Sequence, residues 1–133
     1  MKLAINHYIC PHDYPMEKFL DTVLLVGANA VGITNHAVQT IGVRKLRSQL
    51  AERELKVSSF NSAGYFFANE TENEQVERNR RCVEYAAELS ADTLCVITGG
   101  ISNSEWSLEA ARSKVKDELG KLAEMANKVG VEL

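Results

Sequence analysis

Four times along this chain, an apolar pattern at helical spacing gives way within a few residues to a short apolar or alternating run. The stretches are FLDTVLLVGANAVGIT, LRSQLAERELKVSSF, CVEYAAELSADTLCVIT and LAEMANKVGVEL. A strict strand–helix–strand alternation leaves few options, because parallel neighbours must be joined through crossovers and those crossovers are right-handed. The stretches differ in length, so the rhythm is supersecondary and not a solenoid period. The expectation is an α/β chain built on a parallel sheet.

The pattern locates the elements. A first strand is expected over about Leu3 to Tyr8. Pro15 suits the first turn of a helix, where its missing N–H would have no partner anyway. Met16, Phe19, Leu20, Val23 and Leu24 form that helix's inward stripe, and Gly27 is its left-handed stop. A second strand spans Ala30 to Thr34. A helix from Val43 to Glu54 follows, with Leu46, Leu50 and Leu55 inward, and then a third strand from Lys56 to Phe60. Thr71-Glu72-Asn73-Glu74 has the form of a capping box. The helix it opens points Val76, Val83, Ala86, Ala87 and Leu89 inward, with Glu74–Arg78 and Glu77–Arg81 paired outside. DTLCVIT is a nearly continuous apolar run, as a strand covered on both faces requires. The last helix starts near Ser107 and carries Leu108, Ala111, Val115, Leu119, Leu122, Ala126 and Val129 on one side. Gly120 in its middle costs about 1 kcal/mol against alanine and invites a packing reason. After Gly130, Val131-Glu132-Leu133 reads as the start of a further strand.

At 133 residues the chain has the length of one ordinary domain, and residues 1–133 are read as a single unit. A net charge of −3 with no block of like charges points away from nucleic acid and anionic membrane as partners. No apolar run approaches the roughly 18 residues of a membrane span. The N-terminal MKLAINHYIC is too short and too polar for a signal peptide. Cys10, Cys82 and Cys95 are odd in number and share no CxxC spacing, so a reduced, cytoplasmic setting is expected.

Helix-to-strand links are tight, whereas the links after the strands are long: Ile9 to Tyr14, Asn35 to Gly42, Asn61 to Glu70 and Gly99 to Trp106. In parallel α/β folds those long loops form the functional face. His7 and Tyr8 stand at the end of the first strand and Asn35 and His36 at the second. Asn61 and Ser62 follow the third, and Thr98, Gly99 and Gly100 the fourth. These nine residues are the candidate substrate contacts, since every strand end supplies a group that suits a hydroxyl-rich ligand. His12, between two prolines, is read as a surface residue. Tyr65-Phe66-Phe67 is read as packing, with an aromatic lid as the alternative. The histidines match no local metal-ligand spacing and no strand end carries a carboxylate, so no metal ligand is assigned. Asp13 and Glu70 are read as loop residues with turn and solvation roles, and no phosphate-cradling or nucleophile-elbow motif is present.

Taken together, AVGITNHAVQTIGVRKLRSQLAERELKVSSFNSAGYF, NRRCVEYAAELSADTLCVITGG and LGKLAEMANKVGVEL resemble the sugar phosphate isomerase/epimerase family of xylose isomerase-like TIM barrels. The resemblance implies a parallel (βα)4 half of a TIM barrel plus the start of strand five. It also implies proton transfer next to a carbonyl, assisted by a divalent metal such as Mn²⁺ or Mg²⁺ whose ligands lie on later strands. Glu132 falls ahead of the family's metal-binding glutamate and is not given that role. Asn61-Ser62 and Thr98-Gly99 stand where the endonuclease IV branch places histidine ligands, which argues against a DNA-repair nuclease. On this reading the chain supplies substrate contacts, is inactive alone, and covers its open edges by self-association or with a complementary half. Two alternatives stay open: a non-catalytic half-barrel for assembly or small-molecule binding, and a doubly wound domain of flavodoxin type.

Overall fold

The computed structural model describes residues 3–101 and 106–133. Its strands are β1 (Ala4–Asn6), β2 (Ala30–Thr34), β3 (Lys56–Gly64) and β4 (Leu94–Ile97). Its helices are α1 (Met16–Leu25), α2 (Asn35–Ile41), α3 (Val43–Glu52), α4 (Glu72–Glu88) and α5 (Leu108–Lys128). The strands lie in the order β1-β2-β3-β4, all parallel. A sequential order joined by crossovers of one hand puts every helix on the same face. A doubly wound sheet would reverse its order and clothe both faces, so the flavodoxin-type alternative is excluded. The arrangement is the arc of a (βα)4 half-barrel.

The two faces of the sheet differ in chemistry. Val31, Ile33, Phe60 and Leu94 are fully buried beneath the helices, together with Leu20, Leu46 and Leu122. The opposite face carries small and polar groups. A Cβ added at Gly32 would meet the side chains of Asn6 and Ser59 at 2.4 and 2.9 Å, so these three positions crowd together across β1, β2 and β3. The fifth strand is present as an opening: Thr93 bridges Glu132 in parallel, Leu94 N–H donates to the Glu132 carbonyl at 2.7 Å, and Val131 is buried. No helix among the described residues is long and apolar enough to cross a membrane.

The structure corrects several element boundaries. The first strand stops at Asn6, whose side chain accepts from Tyr8 N–H and turns His7–Ile9 into a 3₁₀ turn. The expected loop after β2 is helix α2, capped by Thr34 and separated from α3 by Gly42 at φ 81°. β3 runs four residues past Phe60, because Asn61, Ala63 and Gly64 pair with Cys95, Val96 and Ile97. Leu24, Leu108 and Val129 are exposed instead of inward. Leu24 leads into Leu25 and Val26, also exposed, at the end of α1. Glu74 is occupied by the capping box, so Arg78 pairs with Glu70 instead, while Glu77 holds Arg81 at 2.9 Å as expected. Glu70 is therefore more than a solvated loop residue. Gly120 faces open space and serves no packing need. Positions 102–105 of the loop after β4, and the first two residues of the expected N-terminal segment, lie outside the described residues.

Candidate functional site

A cleft of about 280 Å³ lies over the ends of β1, β2 and β3. His7, Tyr8, Cys10, Pro11 and His12 line it from the first loop. Thr34, Asn35 and His36 line it from the start of α2, and Asn61, Ser62 and Tyr65 from the end of β3.

Each group is held by a local device. Thr34 accepts from Ala37 N–H as the N-cap of α2, so the strand passes directly into the helix and sets Asn35 and His36 in its first turn. Asn35 Nδ2 then donates to the Ser62 carbonyl at 2.9 Å and reaches Cys82 Sγ at 3.3 Å, tying α2 to β3 and α4. Asn61 Nδ2 donates to the Ile33 carbonyl at 3.3 Å and to Ser59 Oγ at 3.1 Å. The Ser62 and Tyr65 hydroxyls share a hydrogen bond of 2.8 Å. Tyr65 has φ 52°, a backbone region that bulky residues rarely occupy. Its ring is covered by the Arg78 guanidinium at 5.6 Å.

The three histidines gather at the mouth. His12 and His36 meet edge to face with centroids 4.5 Å apart, and His36 Nε2 lies 3.0 Å from the His12 carbonyl. Since a carbonyl only accepts, His36 carries a proton on Nε2. His7 is 6% exposed and packs on Phe19 at 5.0 Å. Its Nδ1 sits 3.1 Å from Thr34 Oγ1, and its Nε2 is buried with no partner. Thr34 Oγ1 also accepts from Ala37 N–H and can either donate to His7 Nδ1 or accept from it, so the ring proton stands on Nε2 in one tautomer and on Nδ1 in the other. In either tautomer the buried Nε2 is left without a partner, which costs about 1–3 kcal/mol.

Burial, and then the neighbouring His36 and His12, push the His7 pKa below its ordinary 6.5. The unfolded chain therefore binds more protons than the folded one below that value. Stability is full above about pH 6.5 and falls as the pH drops toward the folded value, by at most about 1.4 kcal/mol per unit. The shifted carboxylates act at lower pH, as Glu74 is lowered by its capping bonds and Glu77 is held at about 2 by Arg80 and Arg81. Urea midpoints measured at about pH 7.5 and pH 5.5 should thus differ. His7→Gln should remove most of that difference. An unchanged difference in the variant would assign it elsewhere.

Cys10 and Cys82 are not poised as nucleophiles. Burial raises the thiol pKa of both Cys10 and Cys82, with Asn35 and Arg78 opposing the shift at Cys82 only in part. Among the described residues no group of His, Cys, Asp or Glu is arranged to hold a metal ion. The cleft's donors are imidazoles, amides and hydroxyls without a carboxylate, which does not fit a hard divalent cation.

Of the candidate contacts, His7, Tyr8, Asn35, His36, Asn61 and Ser62 come together in the cleft. Thr98, Gly99 and Gly100 are exposed at the end of β4 and are not part of its lining, although a Cβ at Gly99 would lie 3.6 Å from Tyr65 Cα. His12 is exposed, as read, and also borders the cleft. Phe66 is packing, at 2% exposure, and Phe67 meets Trp106 edge to face at 5.7 Å. Thr34 and Cys10 were not legible as site residues. The first could have been found as a helix cap, while the second carries no signal.

The model of a family described as xylose isomerase-like TIM barrel matches residues 20–133. Protein SMc04130 from Sinorhizobium meliloti 1021 is 27% identical with a TM-score of 0.87, over 97% of this chain and 48% of its own. The IOLI protein, solved with a bound zinc atom, shows 16% identity and a TM-score of 0.80, over 98% of this chain and 49% of its own. D-Psicose 3-epimerase from Clostridium cellulolyticum H10, solved with D-tagatose, shows 9% and 0.78, over 98% and 50%. The last two likenesses speak to fold alone. The chain spans about half the length of these structures. Comparison with curated protein sequences finds no significant match.

Proposed function

The chain belongs to the xylose isomerase-like TIM-barrel family, and from that premise we propose that it is the substrate-contacting half of a sugar isomerase or epimerase. The observation that carries the reading is the convergence of His7, Asn35, His36, Asn61 and Ser62 on one cleft at the strand ends. Parallel barrels place their chemistry at that end. The family chemistry moves a proton next to a carbonyl, and a divalent metal such as Mn²⁺ or Mg²⁺ would supply polarisation of the oxygens. The described residues do not offer its ligands, so those ligands and the bases belong to a complementary half. That half would also cover the β1 edge and the apolar Leu24, Leu25 and Val26. The role of this chain is to orient hydroxyl and carbonyl oxygens through its imidazoles and amides. Thr98, Gly99 and Gly100 would join these contacts from the end of β4.

The test is a titration of the 133-residue chain with D-fructose as a neutral probe, followed by amide and side-chain NMR shifts. Shifts concentrated at His7, Asn35, His36 and Asn61 are expected. His36→Ala should weaken binding by about fivefold or more, the worth of one or two hydrogen bonds, without changing self-association. Absence of shifts in the cleft would contradict the reading.

A further inference from the structure

The sheet face turned away from the helices is lined by short side chains. Val31, Ile33, Phe60 and Leu94 are buried beneath the helices, so alternation turns their strand neighbours the other way. Asn6, Gly32 and Ser59 stand in register as one row of that face, and Thr34, Asn61 and Cys95 form the row above it. None of these six side chains is longer than asparagine. A closed parallel barrel is packed inside with bulky side chains and is not hollow. A second copy of this chain would set the same short rows against these, and small against small leaves destabilising cavities.

Two donors on this face also lack an acceptor. Asn6 Oδ1 accepts from Tyr8 N–H at 3.0 Å, which fixes the amide with its Nδ2 on the Gly32 side. That Nδ2 meets no acceptor among the described residues. Ser59 Oγ accepts from Asn61 Nδ2 at 3.1 Å and keeps its own proton to give. The two atoms lie 2.4 and 2.9 Å from the point where a Gly32 Cβ would stand, so one acceptor oxygen between them can serve both. Asn6 and Ser59 are half-buried, and solvent reaches them in the chain alone. Whatever covers this face removes that solvent and must supply an acceptor in its place.

We infer that this face docks a complementary half-barrel of different sequence, whose inward side chains are long and place a carboxylate or carboxamide oxygen between Asn6 Nδ2 and Ser59 Oγ. A second copy of this chain does not fill it, since it presents short side chains to short ones and donors to donors. Association of copies through the exposed apolar edges leaves the face open. The inference concerns the sheet and does not depend on what the cleft above it binds.

The probe partner is the half of SMc04130 that this chain does not cover, mixed with the 133-residue chain. Cys95 is a free, half-buried thiol on the same face, and its alkylation, mapped by peptide mass, reports whether the face is covered. The probe should form a one-to-one complex in sedimentation and slow Cys95 alkylation by about tenfold or more. Raising the concentration of this chain alone should leave the rate unchanged. Asn6→Asp keeps the acceptor for Tyr8 N–H but turns a second acceptor toward the partner, and should weaken the complex about tenfold or more. Ser59→Ala removes one donor with little change of volume and should weaken it about fivefold. Cys95 protection by the chain's own association would overturn the inference. So would failure of the probe to bind, or a complex indifferent to both substitutions. None of these readouts involves a sugar, so their failure leaves the sugar reading standing.

Discussion

Replacing Gly64 with alanine should lower stability by about 3 kcal/mol or more, from backbone strain and overpacking together. Gly64 ends β3 at φ 100°, where L side chains are strained. An added Cβ would lie 2.2 Å from the Ile97 carbonyl oxygen and 2.9 Å from its carbon. Those atoms are backbone, and they are fixed by the pairing of Gly64 with Ile97 and by the Tyr65 N–H that donates to the same carbonyl. Nothing there can rotate aside. Relief would require parting β3 from β4 and so moving Ser62 and Tyr65 out of the cleft. A urea denaturation series on the variant measures this. A change below about 0.5 kcal/mol would show that the strand ends are not locked as described.

Phe60→Ala should cost about 3–5 kcal/mol, the range for deleting a fully buried aromatic side chain. Phe60 is 0% exposed, lies between Ile33 and Leu94 in register, and meets the Tyr85 ring of α4 at 6.2 Å. Asn61 follows it and faces the other way, since successive strand residues alternate. The large stability loss should therefore leave D-fructose affinity of the folded fraction within about twofold of the parent, the residues of contact being unchanged. Denaturation and the ligand titration measure the two effects independently. A loss below about 1 kcal/mol would mean that the core does not centre on β3.

How much of this was legible in the sequence varies with the origin of each feature. The β2 segment Ala30–Thr34 and the capping box at Thr71 and Glu74 match residue for residue, because local patterning and local hydrogen bonds define them. The end of β3 was not legible. Asn61-Ser62-Ala63-Gly64 has the composition of a loop, and only pairing with β4 makes it strand. Helix α2 was hidden because its cap is Thr34 without an acidic partner three residues on, that position being Ala37. Leu24, Leu108 and Val129 fit a helical stripe yet lie exposed, since spacing shows which residues share a face and not whether that face is covered.

The site shows the same division. Strand ends could be located from the alternation alone, so His7, Asn35, His36 and Asn61 were found together. Their hydrogen-bond partners across the sheet could not, because the bonds of His7 to Thr34, Asn35 to Ser62 and His36 to His12 each span more than twenty residues of sequence. The pairing of the buried His7 imidazole with Thr34 exists only once β1 and β2 lie side by side.

The His7 ring offers the most direct measurement. A proton–nitrogen correlation spectrum of the histidine rings, recorded on the 133-residue chain at neutral pH before and after D-fructose is added, tests the cleft as a ligand site. A neutral His7 is expected, with movement of its signals as the sugar binds. A His7 signal that ignores the sugar would contradict the reading of the cleft as its site.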